Sequence, residues 1–228
     1  MKVVILAGGL GTRISEYTKV IPKPMIRIQK KPILCHIIDH YIKFGLKDFY
    51  IAAGYKSEII KKYFKNKSIY KNIKIINTGK KTMTGGRLKR LKKYLNKTFL
   101  LTYGDGVSNI NIRNLIKYHK KKKKLVTLTA VRPPARFGAL KIKNGKVLYF
   151  KEKSKLDESW INGGYFVIEP KFLEYIKGDK TFLEKEPLEL ICKKNQLNAY
   201  KHTGFWQCMD TKRDKDYLED VFKKKKVN

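Results

Sequence analysis

The hydrophobic positions of this chain fall into short runs separated by longer amphipathic stretches, and that alternation predicts its elements. Residues 3–6 are an unbroken apolar run ending at a glycine-rich segment, the pattern of a strand buried on both faces. Residues 32–44 carry apolar side chains at helical spacing, with Pro32 at the start and Gly45 just past the end, which predicts a helix. A strand at 49–53, a helix at 56–64, a strand-like run at 73–76 and a helical stretch at 86–94 follow. Then come a strand at 99–103, a helix at 111–124 and a strand at 125–131. This rhythm predicts an α/β fold, an open and largely parallel sheet with helices on both faces. From about residue 137 the texture changes. Strands at 139–142 and 146–151 flank Asn144-Gly145, a hairpin signal, before a strand at 160–168, a helix at 187–194, a strand at 197–200 and a last helix at 211–225. No Pro-, Gly- or Ser-rich linker divides the chain and no segment repeats, so residues 1–228 read as a single domain.

Composition narrows the class. At 42% hydrophobic residues the chain has the material for a sizeable core, and no apolar run approaches the ~20 residues that span a bilayer. Residues 1–7 are too short in apolar length for a signal peptide and run straight into the glycine segment, so a cytoplasmic location and no membrane partner are expected. The formal charge of +34 raises nucleic-acid binding as an alternative. Yet 45 of the 53 basic residues are Lys, which fits surface composition better than a phosphate-reading site, where the planar Arg fork is favoured. The lysine runs 120–124 and 223–226 fall at predicted helix ends, where cations offset the helix dipole. Cys35, Cys192 and Cys208 are odd in number and lack metal or redox spacing, so free thiols are expected. His36 and His40 share a helical face, but Asp39 is not the base of a zinc motif, and a structural role is the expectation.

Candidate chemistry begins after the first strand. Ala7-Gly8-Gly9-Leu10-Gly11-Thr12-Arg13 offers backbone N–H groups at close approach to an anion, and Arg13 ends it with a fork for phosphate oxygens. Lys23 stands between Pro22 and Pro24, in a stiff extended segment. Together these make a triphosphate cradle. It is neither a dinucleotide fingerprint, which needs a glycine where Ile14 stands, nor a Walker loop, which needs Gly-Lys-Ser/Thr. Asp105 follows a strand between Gly104 and Gly106, at the sheet edge where ligands of open α/β sheets gather, and suits a hydrated Mg²⁺. Gly-Asp-Gly alone is also a common turn. Asp210 is the best second carboxylate, and it is equally placed to cap the last helix. In Thr82-Met83-Thr84-Gly85-Gly86-Arg87, hydroxyls and Arg87 could read a base edge, or Thr84 could simply cap a helix. Glu152 and Lys153 suit a sugar phosphate or a plain surface pair, and Asn162 presents an amide before two glycines. Arg87 and Arg136 also fall in candidate site loops.

The first 25 residues resemble the fingerprint of the sugar-1-phosphate nucleotidyltransferases, G-G-x-G-[ST]-R followed by P-K-P. The segments TMTGGRLKR, YGDGVS, FGAL, INGGYFV, EPLE and GFWQCMDTKRD extend the likeness over residues 2 to about 218, and they resemble the branch of that family that joins CTP to glucose 1-phosphate. The resemblance implies a Rossmann-like mixed sheet of nucleotidyltransferase type, with a nucleotide-binding first half and a sugar-phosphate second half. It implies Mg²⁺ as cofactor on Asp105 and Asp210, and catalytic roles for Arg13, Lys23 and Asp105. Nucleotide contacts would come from Leu6, Ala7, Gly8, Gly9, Leu10, Gly11, Thr12 and Arg13, with Lys23, Thr82, Arg87 and Gly104. Glu152, Lys153 and Asn162 would line the glucose 1-phosphate site. A homo-oligomer without a specific nucleic-acid partner is expected. Two departures stand out: residues 64–82 look shorter than usual, and Cys208 occupies a position where a proline is expected. A different nucleotide or phosphorylated substrate, and a basic nucleic-acid-binding protein, are the alternatives.

Overall fold

The computed structural model describes residues 1–133, 139–151 and 159–227. Its centre is a seven-stranded sheet of β1 (Lys2–Ala7), β2 (Asp48–Ala53), β3 (Ile73–Asn77), β4 (Phe99–Tyr103), β5 (Val126–Val131), β6 (Ile161–Ile168) and β7 (Leu197–His202). The order across the sheet is β7-β5-β6-β4-β1-β2-β3. β1 runs parallel to β2 and β4, and the outer pairs β2–β3 and β5–β7 are parallel too. β6 alone runs against its neighbours β4 and β5. The expected α/β sheet is therefore present, with one reversed strand inserted between parallel ones.

Strand alternation sorts the core into two layers. Val3, Ile5 and Ala7 of β1 face helices α1 (Ile33–Lys43), α2 (Ser57–Phe64) and α4 (Ile112–Lys122), through Ile37, Ile60 and Leu115. Leu218 of α6 (Lys212–Val227) closes that layer. Val4 and Leu6 face the other way, onto Leu88 of α3 (Thr84–Arg90) and Ile191 of α5 (Glu186–Lys193). A strand buried on both faces has to be apolar at every position, which is why β1 shows no period-two pattern. Among the described residues no helix is long and apolar enough to cross a membrane.

Element boundaries fall close to those expected, with instructive differences. The helical stretch expected at 86–94 starts at Thr84, ends at Arg90 and gives way to a 3₁₀ turn at Lys92–Tyr94. Gly106–Ser108 pairs antiparallel with Trp206–Cys208, a three-residue ladder too short for any periodicity to announce. The hairpin at Ala139–Lys143 and Lys146–Lys151 forms as expected around Asn144-Gly145, both at positive φ. Its Leu140, Ile142, Val147 and Phe150 are exposed.

β6 is irregular between Asn162 and Phe166, where Gly163 and Gly164 sit. Gly164 has φ +75°, and a Cβ there would stand 2.5 Å from the Tyr103 ring. A Cβ on Gly163 would stand 2.7 Å from Val131. The two glycines let β6 pass tightly between β4 and β5 while turning Asn162 toward the sheet edge. Gly164→Ala combines a left-handed backbone with overpacking, so a loss of about 3 kcal/mol is expected, read as a lower urea midpoint with unchanged slope. A midpoint equal to that of the parent protein would contradict this account of the irregularity.

Candidate functional site

A cleft of about 570 Å³ opens at the carboxyl ends of β1 and β4. Leu6, Ala7, Gly8, Gly9, Gly11, Thr12 and Arg13 form one wall. Leu10 stands apart, its side chain turned to solvent at 46% exposure. Only Gly11 of the loop glycines has positive φ, +67°, at the start of a 3₁₀ turn over Thr12–Ile14. Gly8 serves a different end, since a Cβ there would lie 2.1 Å from the Arg87 guanidinium. Gly9 faces open space.

Arg87, expected among the nucleotide contacts, is engaged with the protein from below the loop. It still lines the cleft, but it is 3% exposed and lies beneath the loop. Its Nη2 donates to the Gly8 carbonyl at 2.8 Å, and Nη1 donates to Thr78 Oγ1 at 2.8 Å and the Gly79 carbonyl at 2.7 Å. A buried guanidinium held by neutral oxygens fixes the loop and leaves positive charge behind it. Burial, with the Arg90 charge second, lowers its pKa. The glycines after Thr84 also have a packing cause: a Cβ on Gly85 would meet the Thr181 carbonyl at 2.8 Å, and one on Gly86 the Asp179 backbone at 2.5 Å.

The opposite wall brings the expected charges together. Lys23 follows an extended Pro22 into a 3₁₀ turn over Lys23–Met25, which aims its side chain inward. Its Nζ donates to Asp105 Oδ2 and to Asp210 Oδ1, both at 2.6 Å. Asp210 Oδ2 accepts from Arg13 Nη1 at 2.7 Å. Burial alone would lower the Lys23 pKa, but the Asp105 charge and the bonds from both carboxylates overcome it and raise it. Burial likewise pushes Asp210 up, and Lys23 with Arg13 overcomes this to hold its carboxyl below the usual range. Lys23 thus stays an ammonium and Asp210 a carboxylate at neutral pH. Asp105 reaches this point because Gly104 donates its N–H to the Leu6 carbonyl at 2.9 Å, and Asp210 because the Met209 N–H donates to the Asp105 carbonyl at 2.9 Å.

The alternative role of Asp210 as a helix cap goes to its neighbours. Asp214 Oδ2 accepts from the N–H groups of Asp210 and Thr211, and Thr211 Oγ1 accepts from the Asp214 N–H. This reciprocal capping box was readable as Thr-x-x-Asp before α6. It leaves the Asp210 carboxylate to the cleft. Cys208 also lines the cleft, its thiol 3.7 Å from Asp210 Oδ2. Burial first, then the Asp210 and Asp105 charges, push that thiol up to about 12, so it is uncharged beside the acids.

Thr82, Gly104 and Asn162 line the same cleft. Arg136, Glu152 and Lys153 lie outside the described residues. Residues the sequence did not single out complete the walls: Tyr103, Glu184, Phe182 and Trp206. Glu184 accepts from the Tyr103 hydroxyl at 2.7 Å, and the Trp206 indole donates to the Gly163 carbonyl at 2.8 Å. Among the described residues no group of three or more His, Cys, Asp and Glu side chains is gathered to hold a metal. Two carboxylates converging on one cation still fit Mg²⁺, which takes one or two carboxylates and completes its shell with water and phosphate oxygens. His36 and His40, by contrast, each bond a main-chain carbonyl, of Ile28 and Ile110, at 2.9 Å, the structural role expected of them.

Residues 2–220 match the family model described as Nucleotidyl transferase. A glucose-1-phosphate cytidylyltransferase of Salmonella typhimurium is 47% identical over an alignment of 251 positions, covering 100% of this chain and 98% of that protein. That alignment is longer than the chain, so the relative carries residues that this chain lacks. A probable glucose-1-phosphate cytidylyltransferase of Bacillus subtilis is 42% identical, covering 92% of each. Among solved structures, HddC from Yersinia pseudotuberculosis, complexed with GMP-PN, superposes with a TM-score of 0.77 at 25% identity, covering 97% of this chain and 99% of its own. The chain belongs to the nucleotidyl transferase family, with glucose-1-phosphate cytidylyltransferases as full-length relatives.

Proposed function

We propose that this chain transfers a cytidylyl group from CTP to α-D-glucose 1-phosphate, releasing CDP-glucose and pyrophosphate. The observation that carries the reading is the Lys23 ammonium held between Asp105 and Asp210 at the open end of the glycine loop, with Arg13 on the second Asp210 oxygen. The names of the full-length relatives supply the base and the sugar.

Glucose 1-phosphate brings its own anionic oxygen, so the site needs no general base. That oxygen forms a bond to the α-phosphorus of CTP as the bond to the bridging oxygen breaks, and pyrophosphate carries away the electron pair. The chain's work is to hold two polyanions in line and meet the charge that develops. The loop N–H groups and Arg13 bind the β- and γ-phosphates, and the Arg13 fork meets the growing charge on pyrophosphate. Lys23 has three N–H donors and spends two on the carboxylates, leaving one for an α-phosphate oxygen. Arg87 holds the Gly8 carbonyl in place from below. Asn162 has its Oδ1 fixed by the Gly164 N–H at 2.9 Å, which turns its amide nitrogen toward the sugar side. Asp105 and Asp210 would hold Mg²⁺; when bound, the ion offsets phosphate charge in the transition state. A cytoplasmic location is part of the proposal, supported by the names of the relatives, which pair glucose 1-phosphate with a cytidylyl transfer. A homo-oligomer remains part of the proposal, because the hairpin leaves apolar side chains exposed.

Pyrophosphate release, measured with CTP, UTP, dTTP and GTP against several sugar 1-phosphates, is expected to be fastest with CTP and glucose 1-phosphate, and to stop with EDTA and return with added Mg²⁺. Release with UTP or dTTP but not CTP would overturn the base assignment. A second pair of variants separates chemistry from capping. Asp210→Asn is expected to lower kcat by about 10²-fold, with folding retained because Thr211 and Asp214 supply the cap. Asp214→Ala is expected to cost about 1 kcal/mol of stability in a denaturant titration. Normal turnover in Asp210→Asn would remove it from the site.

A further inference from the structure

The segment 177–184 is fastened along the start of α3. The Met83 N–H donates to the Asp179 carbonyl at 2.8 Å and the Gly86 N–H to the Thr181 carbonyl at 3.2 Å. Arg90 forms an ion pair with Asp179, and Lys89 Nζ donates to the carbonyls of Ile176 and Lys177. At the inner end of this strap the fastening passes to side chains. Thr84 Oγ1 accepts from the Leu183 N–H at 2.9 Å and donates to Glu184 Oε2 at 2.7 Å. A hydroxyl has one proton, so Thr84 has none left for a base edge. Glu184 Oε1 accepts from the Tyr103 hydroxyl at 2.7 Å, and the Tyr103 oxygen lies 3.4 Å from Asn162 Nδ2. The order of these bonds is fixed. Burial first, then the Glu184 charge, raises the Tyr103 pKa well above its ordinary value, so the phenol is a donor to the carboxylate and an acceptor from the amide.

We propose that Thr84 is a positioning residue that ties the nucleotide side of the cleft to its sugar side, through Glu184 and Tyr103 to Asn162. This rests on the proposed function, which places Asn162 against glucose 1-phosphate. The chain of bonds crosses from α3 to the strap, to the end of β4 and to β6, and every member lines the cleft. The Thr84 proton pins one carboxylate oxygen and so sets the angle at which the other meets Tyr103. Without it Glu184 is free to turn to water, and the Tyr103–Asn162 contact, the longest in the series, is the first to lose its geometry. Removing the hydroxyl therefore acts at the sugar, through the three residues Glu184, Tyr103 and Asn162.

The test is a steady-state comparison of Thr84→Val, Thr84→Ser, Tyr103→Phe and the double variant Thr84→Val/Tyr103→Phe. Val keeps the β-branched shape at 84, so the fold is retained. The expected result is a KM for glucose 1-phosphate raised about tenfold in Thr84→Val and Tyr103→Phe, a CTP KM within about twofold of the parent, and recovery in Thr84→Ser. The double variant should be no worse than either single one, because both break one series of bonds. A rise confined to the CTP KM, multiplicative effects in the double variant, or no change in either KM would overturn the proposal. Calorimetric titration of glucose 1-phosphate reads the same point without turnover. Weakened binding in Thr84→Val from a parent that shows no CTP-dependent turnover would keep the positioning role and sink the proposed reaction. Unchanged binding would sink the positioning role whatever the turnover.

Discussion

A lysine ammonium buried between two carboxylates is the constraint on which the rest of the cleft depends. Lys23 meets Asp105 from 82 residues away in sequence and Asp210 from 187. Desolvating an ammonium is costly, and removing one carboxylate would leave a buried charge short of a partner. The three segments that carry these groups are therefore locked to one another. The proline-flanked turn at Lys23 supplies the cation, the end of β4 supplies Asp105, and the short ladder of Gly106–Ser108 with Trp206–Cys208 carries Asp210 back across the molecule. Arg13 then attaches the glycine loop to the same cluster through Asp210. What binds the fold together at this edge is also, in the proposed reaction, what confronts a phosphate.

This arrangement explains which parts of the molecule were legible in the sequence. β1, β2 and β4 are apolar runs bounded by glycine or polar residues, and local pattern was enough to find them. The phosphate loop and Lys23 were legible because the chemistry is carried by adjacent residues. The glycines were legible as glycines but not in their causes: Gly11 needs its backbone angle, Gly8 makes room for Arg87, and Gly85 and Gly86 make room for the strap at 179–181. Each of those last causes lies in a partner far along the chain. Nothing local in the sequence says that Gly8, Thr78 and Gly79 surround Arg87. Glu184 is hidden in the sequence for a similar reason, since an acid in a charged segment carries no sign that Thr84 and Tyr103 hold it in a cleft. The Thr211–Asp214 cap, by contrast, was written locally and could have released Asp210 from that alternative at once.

The two walls of the cleft are built on different physical terms. The phosphate wall is charged, with Arg13 outermost at 71% side-chain exposure and Lys23 deep inside. The side formed by α3 and the strap is held by main-chain hydrogen bonds and close glycine contacts, backed by the Arg90–Asp179 ion pair and the buried Arg87. Such a division suits a reaction whose difficulty is charge on phosphate and whose selectivity lies in the shape and hydrogen bonding of the two end groups. The reversed strand β6 joins the walls, because its glycine irregularity delivers Asn162 beside Tyr103.

In the proposed reaction the charges around Lys23 act on the transition state and not merely on the resting cleft. Arg13 is the sharpest probe, because it is mostly exposed and its replacement by Lys keeps the charge while removing the planar fork. Steady-state kinetics of Arg13→Lys, with CTP and glucose 1-phosphate varied in turn, measures this directly. A kcat lowered by about tenfold or more is expected, with a CTP KM changed by less than about threefold. An unchanged kcat with only a raised CTP KM would contradict it and make Arg13 a uniform binding group.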